Sequence, residues 1–216
     1  VPKYHFNKAA ANAFAARFYL YKRDYDKVIS HATIALGGEG TNPATLMRTI
    51  YASDFTNSEN IARAYIDVKS PNNFLILPTH SIAGRHLTGG VRYSLNRDGA
   101  KGTFYGPGPT WKSYNFHPCY SGKLYLRGSQ DYGVFFPKFS EIFEYTDKIA
   151  GIGYAHIVRA EFTAEETILC RAEAYIMKGD IDKGVADLKV WDDSRNINTT
   201  TTVLPALTKE LIISFY

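Results

Sequence analysis

The sequence predicts a mainly α protein in which two helical hairpins, far apart along the chain, bracket a long, irregular, loop-rich insertion. Three observations lead there. Apolar residues recur at three- and four-residue steps over 7–36 and again over 161–195, the spacing that lines one side of a helix. Each stretch is interrupted once, by Lys22-Arg23-Asp24 and by Gly179-Asp180, which divides it into two helices. Between 39 and 160, Pro and Gly recur too often for a long helix.

The first hairpin occupies 7–36. Ala9, Ala13, Ala16 and Leu20 form one apolar stripe of its first helix, and Phe14, Phe18 and Tyr21 form a second. A helix apolar on two stripes is expected to pack between neighbours. Tyr25, Val28, Ile29, Ala32, Ala35 and Leu36 mark the partner helix, which Gly37-Gly38 stops.

The insertion, 39–160, reads as mostly irregular. A helix is expected at 46–51 and a strand-like run at 60–68, with short extended pieces near 74–77, 91–95, 123–126 and 133–136. Glu141 and Glu144, one helical turn apart, read as a solvated helix face, and Gly151-Ile152-Gly153 reads as a turn. Loops this long inside a compact domain are usually functional or poorly ordered.

The second hairpin occupies 161–195. Thr163 and Glu166 have the spacing of a capping box, in which each side chain satisfies a backbone N–H at the helix start. Ile168, Leu169, Ala172, Tyr175 and Ile176 give the first stripe, and Ile181, Val185, Leu188 and Trp191 the second. A further helix is expected to start at 208–216, with Thr208 as its cap.

Composition narrows the function. Hydrophobic residues make up 45% of the chain, enough for a sizeable core, and aromatics reach 14%, with 16 Tyr and 13 Phe. Tyr and Trp join an apolar body to a polar tip, which suits contact with sugars or proteins as well as packing. The net charge is only +4 and no basic run exceeds Lys22-Arg23, which argues against a nucleic-acid partner. No apolar run approaches the ~20 residues of a membrane span. Cys170 lies in a helical apolar pattern, while Cys119 lies in a Pro- and Tyr-rich stretch; spacing leaves open whether they form a disulfide. The chain opens at Val1 and stops inside a helical pattern, so it is read as a piece of a longer protein.

The segment 15–29, Ala-Ala-Arg-Phe-Tyr-Leu-Tyr-Lys-Arg-Asp-Tyr-Asp-Lys-Val-Ile, resembles a tetratricopeptide hairpin. So does 171–186, Arg-Ala-Glu-Ala-Tyr-Ile-Met-Lys-Gly-Asp-Ile-Asp-Lys-Gly-Val-Ala. Small residues such as Ala16, Ala35 and Ala172 are expected where paired helices cross, with Tyr19, Tyr25 and Tyr175 filling the gaps. Tandem repeats of this kind recur about every 34 residues, whereas Asp24 and Asp180 lie 156 positions apart. Separated hairpins of this type, together with the segments 7–11, 57–61 and 163–175, resemble the SusD/RagB family of Bacteroidetes outer-membrane proteins. Gly184 departs from the pattern where Ala is usual, Ile181 where Tyr is usual and Trp191 where a small residue is usual. The family's C-terminal region, rich in Arg and Trp, and its lipidated N-terminal Cys have no counterpart in the chain.

The resemblance implies binding without catalysis. It implies a lipid-anchored protein on the outer cell surface that captures glycan, or in some members peptide, for a SusC-like TonB-dependent transporter. The membrane is then reached only through a lipid anchor lying outside this chain, and no cofactor is implied. Within the insertion, Tyr93, Tyr105, Trp111, Tyr114 and Asn115 are the candidate ligand-binding residues, because rings stack on sugar faces while Asn bonds hydroxyls. The competing reading is that these rings anchor long loops to the helices. No catalytic residue and no metal ligand is assigned. H-E-x-x-H, G-x-S-x-G and C-x-x-C patterns are lacking, and the six histidines, His80 and His86 among them, lack close ligand spacing. Two alternatives stay open: a tetratricopeptide-type scaffold for a protein partner, and a carbohydrate-active enzyme using Glu141 and Glu144.

Overall fold

The computed structural model describes residues 3–48, 58–82, 138, 141–195 and 210. Its elements are α1 (Lys8–Tyr21), α2 (Tyr25–Ala35), a 3-10 turn (Pro43–Leu46), α3 (Ser58–Tyr65), β1 (Asn73–His80), β2 (Glu141–Asp147), β3 (Ile152–Thr163), α4 (Ala164–Met177) and α5 (Ile181–Arg195). The fold is therefore mixed, and the expectation of a mainly α protein is corrected. The three strands form one antiparallel sheet in the order β1-β3-β2, built from what the sequence suggested was irregular insertion and, at the end of β3, from the first three residues assigned to the second hairpin.

Both hairpins form, and each has a physical reason. Asn7 caps α1, its side chain accepting from Ala10 N at 3.0 Å, and Asp24 caps α2. Between them Arg23 takes a left-handed φ of 59°, and Asp24 N donates to Tyr19 O at 3.0 Å. Gly179 (φ 86°) makes the same turn in the second hairpin, with Asp180 N donating to Tyr175 O at 2.9 Å.

The hairpins also pack against each other, with α2 against α4 and α1 touching α4 as well. Ala16, Val28, Ala32, Cys170 and Ala174 form the buried seam, flanked by Tyr19 and Tyr25. Small side chains let these helices approach closely. At its centre Cys170 is a free thiol that burial, helped by Glu166 and Glu173, pushes up from 9.0 to about 12. Its partner in the open disulfide question, Cys119, lies outside the described residues.

A prediction follows from that burial. At pH 8 iodoacetamide should leave Cys170 unmodified in the native protein and label it once the protein is unfolded, as read by peptide mass spectrometry. The raised native value means that the thiol's contribution is fully present below the unfolded value. It is lost as pH rises towards about 12, so stability relative to Cys170→Ala should fall over that range.

In the second hairpin, Gly184 has a packing role. A Cβ there would lie 2.5 Å from Ile176 Cγ1 and 3.0 Å from Ala172 O, so glycine lets α5 close on α4. Gly184→Ala is expected to lower stability by about 1–3 kcal/mol, outweighing the helix propensity gained, and a shifted urea midpoint would show it.

The sheet leans on the first hairpin. Phe74 and Leu75 of β1 and Phe162 of β3 join Ala10, Ala13, Leu36 and Ile168 in the larger core, with Trp191 against its edge. Phe14 and Phe18 depart from the expected two-sided packing: they are 49% and 46% exposed, and Tyr21 is 86% exposed.

The remaining expectations divide. The extended piece at 74–77 lies inside β1. The expected strand at 60–68 is instead α3 as far as Tyr65 and a turn after it; Ala62 and Tyr65, one turn apart, are buried and Arg63 sits in the last turn of the helix. Of the expected helix at 46–51, residues 49–51 lie outside the described residues; Leu46 ends a 3-10 turn, started by Pro43 and capped by Asn42, and Met47 is extended. Gly151 (φ 69°) turns the β2–β3 hairpin, while Ile152 and Gly153 already belong to β3. The pieces at 91–95, 123–126 and 133–136 lie outside the described residues; of 208–216 only Glu210 is described, in helical backbone. Among the described residues no helix is long and apolar enough to cross a membrane.

Candidate functional site

β3 runs straight into α4, and this junction shapes a cleft. Thr163 pairs with Asn73 as the last residue of β3 and caps α4, its hydroxyl accepting from Glu166 N at 3.2 Å. Only this half of the expected capping box forms, because the Glu166 carboxylate turns to Arg17 of α1 instead. Arg17 Nε donates to Glu166 Oε1 at 2.5 Å and Nη2 to Oε2 at 2.6 Å. That hydrogen bonding, chiefly from Glu166, holds the Arg17 guanidinium above its ordinary value. The same group lies 4.3 Å from the Phe162 ring centroid, and its Nη2 donates to Glu161 O at 2.7 Å.

Along β3, alternate residues share a face, so Arg159, Glu161 and Thr163 all line this side. Arg159 Nη2 sits 2.5 Å from Glu161 Oε2, and Arg17 Nη1 sits 3.3 Å from Glu161 Oε1. Tyr65 of α3 and Lys138 complete the wall, with Lys138 Nζ 5.9 Å from the Tyr65 ring centroid. Glu165 closes the inner end. The cleft, open to solvent on one side, has a volume of about 420 Å³, within the usual range for small-ligand clefts.

Behind the cleft, Arg48 is 4% exposed and organises the inner wall. It donates to Ala64 O at 2.6 Å, Asn72 Oδ1 at 2.7 Å and Asn73 Oδ1 at 2.9 Å, and its Nε lies 3.5 Å from Glu165 Oε1. Its guanidinium also stacks 4.2 Å from the Tyr65 centroid. The wall is thus held by a fixed lattice of guanidinium, carboxylate and amide groups.

Tyr93, Tyr105, Trp111, Tyr114 and Asn115, the residues singled out from sequence, lie outside the described residues. Glu141 and Glu144 are corrected. They lie on β2, where an odd spacing sends them to opposite faces of the sheet, so the helix face and the shared cleft expected of them do not form. His80 stands on β1 beside His156 of β3, ring centroids 4.2 Å apart, and Glu144 Oε2 lies 2.8 Å from His156 Nε2. His86 lies outside the described residues. Among the described residues no group of three or more His, Cys, Asp or Glu is arranged to hold a metal ion.

Sequence reasoning passed over Arg159, Glu161 and Tyr65 as site residues. The i, i+2 spacing of Arg159, Glu161 and Thr163 was the available signal, but it speaks only once 152–163 is recognised as a strand. In comparison with known proteins, the chain matches no family model, no curated protein and no solved structure.

Proposed function

We propose that this protein captures oligosaccharide at a bacterial cell surface, without catalysis, for import through a TonB-dependent transporter, in the manner of the SusD/RagB family it resembles. One observation carries the binding part: the cleft of about 420 Å³ where Tyr65 meets a fixed array of Arg17, Arg159, Glu161 and Glu166. A saccharide offers hydroxyls that both donate and accept, together with apolar C–H faces. Carboxylates accept from those hydroxyls and guanidinium N–H groups donate to them. Because the side chains are already held by one another, little conformational entropy is lost on binding.

The rest of the reading comes from the sequence. The resemblance of 7–36 and 160–189 supplies the family, the outer-membrane location, the lipid anchor outside this chain and the SusC-like partner. Tyr93, Tyr105, Trp111, Tyr114 and Asn115 are proposed as further sugar contacts on the same ground. A peptide ligand would use the same donors and acceptors.

Calorimetric titration with oligosaccharides tests the binding claim. Glu161→Gln is expected to weaken binding about tenfold, the worth of a hydrogen bond to a charged group, with the thermal midpoint nearly unchanged. No saccharide binding by the folded chain would overturn the reading. The half-exposed Phe14 and Phe18 on α1, with Tyr21 beyond them, favour a second reading, a scaffold for a protein partner.

A further inference from the structure

At the end of the sheet away from α4, two histidines oppose each other across neighbouring strands. In the β1–β3 register His80 pairs with His156, and Pro78 with Val158. Pro78 has no N–H to give; Ile76 N donates away from the sheet, to Lys3 O, and Ser81 N donates into it, to Ala155 O. The even-numbered residues of β1 therefore hold the non-hydrogen-bonded positions, where opposed side chains come closest. The His80 and His156 ring centroids accordingly lie 4.2 Å apart, with the planes at 44°. From the third strand, Glu144 sits diagonally to His156 and brings Oε2 to 2.8 Å from His156 Nε2. That nitrogen is buried and makes no aligned hydrogen bond, even with the carboxylate so near.

We infer that His80 and His156 form a two-imidazole site for a late first-row divalent cation such as zinc, with the Glu144 carboxylate supplying negative charge beside it. The site is independent of the saccharide reading. Imidazole nitrogen suits zinc and copper, whereas magnesium and calcium take oxygen ligands. A buried ring nitrogen without an aligned partner is a group that a bound ion would satisfy. With Zn–N of about 2.0–2.1 Å, the centroids of two imidazoles on one tetrahedral ion stand about 5 Å apart. His80 is exposed, so its ring can swing out by the missing distance of about 1 Å. No group of three ligands is arranged here among the described residues, so water completes the coordination. The ion would tie the end of β1 to β3, the strand that carries Arg159 and Glu161 into the cleft.

The test is calorimetric titration of the folded chain with zinc, and with magnesium for comparison. One equivalent of zinc is expected to bind, and magnesium is not. His80→Gln should remove that equivalent, whereas His5→Gln, at an exposed histidine outside the sheet, should keep it. Glu144→Gln should weaken zinc binding about tenfold, as loss of a carboxylate beside a metal-bound histidine does. Zinc should also raise the thermal midpoint of the wild type and leave that of His80→Gln unmoved, because an ion held by the folded chain stabilises it. Circular dichroism checks that His80→Gln folds, and Glu144→Gln, whose side chain is 69% exposed, serves if it does not. No zinc binding by the folded wild-type chain, or equal affinity in His80→Gln, would overturn the inference.

Discussion

Replacing Arg48 with alanine is expected to cost about 3–5 kcal/mol, the penalty for removing one partner of a buried charged network. That is a large share of the roughly 5–15 kcal/mol by which a domain is stable. The reason is the number of groups that depend on one side chain. Ala64 O, Asn72 Oδ1 and Asn73 Oδ1 would lose a donor, Glu165 a neighbouring cation, and the Tyr65 ring the plane stacked on it. Asn72 and Asn73 are themselves completely buried, so water reaches them poorly. Asn73 also ties α3 to β1 through Tyr65 O at 3.0 Å, and the damage should spread to the cleft's inner wall. Lysine is not expected to rescue, because one ammonium cannot reach acceptors arranged around a flat fork. Urea denaturation of Arg48→Ala and Arg48→Lys measures both, and a loss below about 1 kcal/mol in either would show that the network does not organise this region.

The second large effect is expected at Asp187, on α5. Its carboxylate receives Arg171 Nε and Nη2, both at 2.8 Å, while Arg171 Nη1 reaches Thr33 Oγ1 of α2 at 3.1 Å. This one guanidinium therefore links α4, α5 and α2, with side-chain exposures of only 13% for Arg171 and 8% for Asp187. Burial alone would pull the Arg171 value down, but the Asp187 hydrogen bond and charge outweigh it, and the group is held raised. Asp187→Ala leaves that cation buried without its counter-charge, and a loss of about 3–5 kcal/mol is expected. Removing both partners, as Arg171→Met with Asp187→Leu, should cost much less than Asp187→Ala alone. Such non-additivity is the mark of a buried pair and is read by the same denaturation series.

Much of the helical part was legible because its information is local. Alanines at three- and four-residue steps, a polar break in each stretch and the Thr163 cap of the second define 7–36 and 161–195 without reference to the rest of the chain. The packing of one hairpin on the other was not, since nothing local states that Ala32 will meet Ala174 across an insertion of more than a hundred residues. The sheet was missed for the same reason. β3 pairs with β1, some eighty positions upstream, and its mixed burial gives no clean alternation of apolar and polar residues.

Two misreadings came from spacing taken without its backbone. Glu141 and Glu144 share a face only in a helix; on β2 they part. Ala62 and Tyr65, within what reads as a strand, share a buried face only because α3 is helical. Gly184, where Ala is usual in hairpins of this type, is the residue that lets α5 approach Ile176. The cleft draws on α1, α3, β3 and α4, and no window of sequence contains all four.

The central claim is that saccharide binds at the junction of β3 and α4. Hydrogen-exchange mass spectrometry with the tightest-binding oligosaccharide from the calorimetric screen tests it most directly. Slowed exchange is predicted in peptides covering 159–166 and in the part of α1 around Arg17, lost in Glu161→Gln at the same ligand concentration. Protection confined to peptides away from these residues, or unchanged exchange at saturating ligand, would contradict the account.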